Sequence, residues 1–280
     1  MHVRVPASSA NLGPGFDALA LALTLYLEVD LELTDALEVV TDGIGATGPD
    51  NDHWGVRVAR QVLGHDHFRL TVRSTIPVAR GLGSSAALAV ACATAAGAEA
   101  PLTVAAEFDG HAENAAASFY GGLVIATMID GTPVVESLPV DEELRFVVVV
   151  PALELATADA RRVLPTAVPF ADATFNLARL GLLVAGLRDH HHLRAEAMED
   201  RLHQPYRASL LPFASGVLKG LRDAGALASC WSGAGSTMLG VATRDSADVV
   251  ASAARDLLAH VSVPGEVHVL SADRTGLVRS

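Results

Sequence analysis

The residues in this chain best suited to chemistry lie in three short segments rich in glycine and serine. In Pro77-Val78-Ala79-Arg80-Gly81-Leu82-Gly83-Ser84-Ser85-Ala86-Ala87, glycines let a ligand approach the backbone, and paired serines offer caps and hydroxyls. An uncharged, Ala-rich stretch follows at once and reads as a helix. Free N–H groups and the positive dipole end make a helix N-terminus an anion site, so phosphate is the ligand this segment suits. A plain helix cap has the same composition. The segment Pro6-Ala7-Ser8-Ser9-Ala10-Asn11-Leu12-Gly13-Pro14-Gly15-Phe16-Asp17 follows a short strand and reads as a rigid loop that brings Asn11 and Asp17 onto a small ligand, or as a simple turn between strands. Ser232-Gly233-Ala234-Gly235-Ser236-Thr237 lies between two apolar stretches, where its glycines leave room for a ligand, for another backbone or for a hairpin turn.

These segments need elements to position them. Strands are expected over residues 3–5, 19–33, 37–41, 68–74, 121–129, 133–138 and 145–150, with a Gly/Pro/Asp loop through Asn51. Helices are expected over 52–63, behind the Gly81 loop, and over 102–110, 156–163, 171–187, 193–201 and 212–224. Strands at 228–231, 237–242 and 267–270, with a helix over 246–258, complete the chain. Strands and helices mix without regular alternation, which favours α+β over a doubly wound sheet. A boundary near Arg145 divides the chain into units 1–145 and 146–280.

Composition removes several functions. Of 280 residues, 50% are hydrophobic and 19% charged, enough apolar material for one large core or two modest ones. The net charge of −12 argues against nucleic acid, which calls for a basic footprint. Lys219 is the only lysine and sits in an amphipathic stretch, Val217-Leu218-Lys219-Gly220-Leu221. A Walker A loop and a Schiff-base lysine are therefore absent, and any nucleotide must rest on backbone amides and helix ends. Cys92 and Cys230 stand far apart among apolar residues and read as buried thiols. No signal peptide is visible, because Asp17 interrupts the apolar stretch. Residues 81–98 are uncharged over the length of a membrane span, but their Ala, Gly and Ser content reads as a buried helix with its loop. A reducing, cytoplasmic location without a membrane is the expectation. His190-His191-His192 reads as a solvated surface run and not as a metal site.

The three segments, in this order and spacing, resemble the GHMP kinase superfamily, and the first resembles that of homoserine kinases. Gly110-His111-Ala112-Glu113-Asn114 with Gly121-Gly122, Thr157-Ala158-Asp159-Ala160-Arg161-Arg162-Val163-Leu164-Pro165, and Glu199-Asp200-Arg201-Leu202-His203-Gln204-Pro205-Tyr206-Arg207 extend the resemblance over nearly the whole chain. It implies an N-terminal domain like the second domain of ribosomal protein S5 and a ferredoxin-like C-terminal domain. It also implies transfer of the ATP γ-phosphoryl group to the side-chain hydroxyl of L-homoserine, for threonine synthesis. ATP would contact Pro77, Arg80, Gly81, Leu82, Gly83, Ser84, Ser85 and Ala86, while Trp54 would stack on the adenine or cap the core. Ser85, or in its place Ser84, would hold Mg²⁺ with Glu107, Asp109 being the nearby alternative to Glu107. Arg161 and Arg207 would clamp the substrate carboxylate, Asp17 would take its ammonium group, and Asn11, His111 and Asn114 would orient the rest. His111, Asn114 and Arg161 are the expected catalytic residues.

Two departures stand out. Ala112-Glu113 replaces the family's Pro-Asp, and Ser236 replaces a proline. A GHMP kinase with another small hydroxylated acceptor, or a nucleotide-binding relative without catalysis, are the alternative readings. Homodimers occur among relatives, so a homodimer is an admissible assembly.

Overall fold

A computed structural model describes residues 1–43 and 52–280. The expected loop through Asn51 lies largely outside those residues. The first sheet is built on a long hairpin, β1 (His2–Asn11) and β2 (Gly15–Leu33), joined by the turn at Leu12-Gly13-Pro14. What reads from sequence as a loop after a short strand is thus mostly paired backbone. Its register slips at Pro6/Ala7 and again at Ala10/Asn11. Such bulges re-aim side chains next to a site, and proline is tolerated there because no ladder donor is needed.

The chain continues through β3 (Glu38–Gly43), α1 (Trp54–Leu63), β4 (Phe68–Ser74), α2 (Ser84–Ala95), α3 (Pro101–Asp109), α4 (Glu113–Tyr120), β5 (Leu123–Ile129) and β6 (Thr132–Leu138). β3 runs parallel to β4, and the other pairings in this sheet are antiparallel. Every residue of α2 from Ala86 to Ala95 is buried, in contact with α1, α3, α4, β1 and β2. Alanine has the best helix propensity and the smallest side chain that still excludes water, so an apolar helix can be packed on all sides.

The second half reads β7 (Leu144–Pro151), α5 (Thr157–Arg162), α6 (Phe170–Arg188), α7 (Gln204–Arg207), α8 (Ala214–Asp223), β8 (Ala228–Trp231), β9 (Met238–Thr243), α9 (Ala247–His260) and β10 (Gly265–Leu270). Its sheet has the order β10-β7-β9-β8 with every neighbour antiparallel. This is the ferredoxin-like arrangement, and the chain is α+β as expected. The sequence pattern over 193–201 is not a helix: only Ala195–Met198 form a short 3-10 turn. The last strand, β11 (Val278–Arg279), returns to pair with β1, and Ala272 bridges to Leu23. Asp273 accepts a hydrogen bond from the Tyr26 hydroxyl (2.9 Å) and caps the turn at Thr275 and Gly276. The C-terminus is therefore part of the first sheet. Both cysteines are buried and free, and burial pushes their thiols far up.

Candidate active site between the two sheets

The three glycine-bearing segments, far apart in sequence, interlock. Ser8 N–H donates to Leu82 O (3.1 Å), Gly233 N–H to Ala10 O (2.9 Å) and Thr237 N–H to Arg80 O (3.1 Å). The Ser232 hydroxyl lies 2.8 Å from that of Ser9 and 2.6 Å from the Gly81 carbonyl. Two glycines permit this closeness. A Cβ on Gly81 would overlap the carbonyl of Ser232, and one on Gly83 would overlap the Ser8 hydroxyl and press on Asn114 Oδ1. Both also have positive φ, 76° and 67°.

Gly83 is the N-cap of α2, so the free amides of Ser84 and Ser85 face a cavity of about 270 Å³. Asn11, Asp17, Gly81, Gly83, Ser84 and Ser85 line it together with Asp109, His111, Glu113, Asn114, Arg161 and Arg207. Of the expected contacts, Pro77, Leu82 and Ala86 are buried and shape the loop from behind. Arg80 turns its guanidinium to the carbonyls of Pro151 and Val78 and pairs with Glu154. Trp54 packs edge-on against Phe108, with Arg57 over its ring, and lines no part of the cavity.

Of the two carboxylates on α3 named for the metal, only Asp109 lines the cavity. Glu107 is exposed on α3 and does not line the cavity, whereas Ser85 Oγ donates to Asp109 Oδ1 at 2.7 Å. Residues two apart on a helix face about 200° from one another, so only one of the two carboxylates can face inward. Burial pushes the Asp109 carboxyl up.

Three acids and three cations share the space. Arg161 makes a bidentate pair with Asp17, at 2.7 and 3.0 Å. Asn11 Oδ1 accepts the Asp17 amide N–H (3.0 Å), and both residues have positive φ. Arg207 is buried and donates to the carbonyls of Ala160 and Gly233. Burial and the neighbouring Arg161 charge bring it down to about 10, still a cation at neutral pH. Phe16, which sequence reasoning passed over beside Gly15, lies under both guanidinium groups, at 5.6 and 5.4 Å, and stacks on His203. Burial pushes His203 down to about 4, leaving a neutral ring whose Nε2–H donates to Gly13 O (2.8 Å) while Nδ1 accepts from Arg207.

His111 is the opposite case. Burial lowers its pKa, but the hydrogen bond and charge of Glu113, with the charge of Asp109, outweigh burial and raise it to about 9. Its Nδ1 lies 3.2 Å from Glu113 and 3.3 Å from Asp109. Asn114 Oδ1 accepts from Ser8 Oγ (2.8 Å), and its Nδ2 donates to Glu113 (3.3 Å). Ser8, on Asn114, and Thr157 and Glu113, on the cavity wall, therefore join the expected set. The histidine run forms a 3-10 turn well outside the cavity, with His190 Nδ1 2.6 Å from Asp141.

Comparison with known proteins agrees with this geometry. Residues 54–122 match the N-terminal domain of the GHMP kinases, and residues 178–260 match their C-terminal domain. The homoserine kinase of Thermus thermophilus is 43% identical over 85% of this chain and 85% of its own length. The chain belongs to the homoserine kinase family of GHMP kinases. The homoserine kinase of Desulfitobacterium hafniense is 34% identical over 99% of this chain and 98% of its own. The crystal structure of homoserine kinase from Cytophaga hutchinsonii superposes with a TM-score of 0.86 at 28% identity, covering 99% of this chain and 96% of that one. The two-sheet architecture is the GHMP kinase fold.

Proposed function

We propose that the chain is an ATP-dependent homoserine kinase that makes O-phospho-L-homoserine for threonine synthesis in the cytoplasm. One observation carries this reading beyond family membership. The α2 amide end, suited to phosphate, and a charged set suited to an amino-acid zwitterion line the same cavity. ATP phosphates rest on the backbone of Gly81 to Ser85, with no lysine required; Lys219 is spent in an exposed pair with Asp223. The acceptor ammonium takes Asp17, and its carboxylate takes Arg161 and Arg207.

Mg²⁺ fits the donors present. Ser85 and Asp109 offer adjacent hard oxygens, and the buried Glu113 Oε2 lacks a hydrogen-bond partner. Ser85 and Asp109 would hold the ion, with Glu113 beside them, and it would neutralise phosphate charge. The protein's own part is positioning and charge. The acceptor oxygen bonds to the γ-phosphorus as the bond to the β,γ-bridging oxygen breaks, and ADP leaves with the electron pair. Asn114 is an amide with both ends engaged and cannot take a full proton. It orients the hydroxyl, whose proton passes to phosphate oxygen or solvent. His111, held as a cation, faces the developing charge. An assay coupled to ADP release, with homoserine, serine, threonine, mevalonate and galactose as acceptors, tests the substrate: homoserine is expected to be preferred, and preference for a non-amino-acid would overturn it.

A further inference from the structure

His203 is wholly buried and lines no part of the catalytic cavity, yet it touches both halves of the wall that would receive an amino acid. It caps the start of α7, stacks on Phe16 with ring centroids 5.0 Å apart, and makes one hydrogen bond from each ring nitrogen. Nε2 lies 2.8 Å from the Gly13 carbonyl, and Nδ1 lies 3.1 Å from Arg207 Nη1. A carbonyl can only accept and a guanidinium can only donate, so the proton sits on Nε2 and the lone pair on Nδ1. The acids that face the ring leave this tautomer in place. Asp200, 3.5 Å away, already accepts from Asn176 and from the amides of Leu202, His203 and Gln204. Asp17 acts on the ring only through its charge, which Arg161 meets.

The consequence for Arg207 is geometric. Its Nη1 spends two hydrogens on His203 Nδ1 and the Gly233 carbonyl, at 3.1 Å each, and its Nε–H goes to the Ala160 carbonyl at 3.1 Å. Nη2 alone meets no acceptor among the described residues, and it is the nitrogen left for a ligand in the cavity that Arg207 lines. A planar guanidinium held by three bonds cannot turn, so those two N–H groups keep one direction. Without Nδ1, one hydrogen of a buried cation would stand unpaired. On the other side of the ring, Gly13 belongs to the turn between β1 and β2, and Asp17 follows four residues later. One side chain thus sets the cation from α7 against the anion at the start of β2.

We infer, given the amino-acid acceptor proposed above, that His203 is a positioning residue: its Nε2–H tautomer holds Arg207 so that Nη2 meets the acceptor carboxylate, and ties that cation to the turn that carries Asp17. It touches no reacting atom. Its loss therefore weakens ground-state and transition-state binding alike, which raises acceptor KM and leaves kcat nearly unchanged.

Two substitutions separate its bonds. His203→Gln puts an amide N–H near Nε2, keeping the Gly13 bond and removing the acceptor for Arg207. His203→Asn puts an amide oxygen near Nδ1, keeping the Arg207 bond and removing the donor to Gly13. Steady-state kinetics of the full chain should show homoserine KM raised about tenfold in His203→Gln, the scale of a hydrogen bond to a charged group, and about threefold in His203→Asn, the scale of a neutral one. ATP KM and kcat should stay within about twofold in both. Inhibitors competing with homoserine tell positioning from general damage. In His203→Gln, γ-hydroxybutyrate, which keeps the carboxylate and lacks the ammonium, should lose affinity by the factor that homoserine loses. Propanolamine, which keeps the ammonium and lacks the carboxylate, should bind as it does to the unaltered chain. Equal rises in both KM values, an unmoved homoserine KM, or equal losses for the two inhibitors would overturn the positioning role while the kinase reading stands. An unaltered chain that does not phosphorylate homoserine would overturn the acceptor reading, and the role of His203 with it.

Discussion

Arg161 and Asp17, 144 residues apart in the chain, face each other in a two-point ion pair inside the cavity that both line. Each is the partner the other would give up to an amino acid, and the Phe16 ring lies 5.6 Å from the Arg161 guanidinium carbon. A ligand carrying both charges replaces the pair without leaving either group alone. A ligand carrying one leaves a bare ion behind.

The first prediction concerns that exchange. Asp17→Asn and Arg161→Gln should each raise KM for the amino-acid acceptor about 10–100-fold, corresponding to roughly 1.5–3 kcal/mol for a hydrogen bond to a charged group. KM for ATP should move far less. Steady-state kinetics with each substrate varied in turn reads the split; equal losses for both substrates would place the pair outside the acceptor site.

Metal dependence separates two carboxylates on one helix. Asp109→Asn should raise the Mg²⁺ concentration for half-maximal rate by about tenfold or more and lower the maximal rate, because a charged oxygen donor becomes a neutral amide. Glu107→Gln should leave the Mg²⁺ titration unchanged, since its side chain faces water. The reverse pattern would reinstate Glu107.

How much of this was legible in the sequence follows from the range of the contacts. The α2 helix and its glycine loop are local features, and composition alone marks them. Glu107 and Asp109 differ only in helix phase, which depends on where α3 sits against α2 and is not written in either residue. Ser8 was passed over because its partner Asn114 is 106 residues away, and Asn11 meets Gly233 across 222. The four residues of α7 carry no periodicity to detect; Asp200 starts that helix by collecting backbone amides, which is also why the pattern over 193–201 fails as a helix. The strand β11 is only two residues long and exists through its pairing with β1.

pH dependence follows from two histidines with opposite shifts. His111, raised to about 9 from 6.5, adds stability that is full below about pH 6.5 and is lost as pH rises through about 9. His203, lowered to about 4 by burial, subtracts stability as pH falls below about 6.5, because the unfolded chain takes a proton that the fold refuses until about pH 4. Thermal melts should therefore peak near pH 6.5. Glu113→Gln should draw the alkaline decline in both stability and kcat to lower pH; an unshifted decline would show that His111 is not held by Glu113.

Loop closeness gives a stability test. Gly83→Ala should cost about 1–3 kcal/mol through positive φ and overlap with Ser8, and should abolish turnover by displacing the α2 amides. Gly97→Ala, also at positive φ but with open space around it, should cost about 1 kcal/mol and leave turnover intact. Equal effects on turnover would mean that the fit of Gly83 against Ser8 is irrelevant to the site.

The most direct measurement is the ³¹P spectrum of the product formed from ATP, Mg²⁺ and L-homoserine with the purified chain. The account predicts a phosphomonoester resonance coupled to the side-chain methylene of homoserine, growing in step with ADP and about 10–100-fold more slowly in Arg161→Gln at the same sub-saturating homoserine concentration. ADP release without that ester, or no turnover of ATP at all, would contradict it.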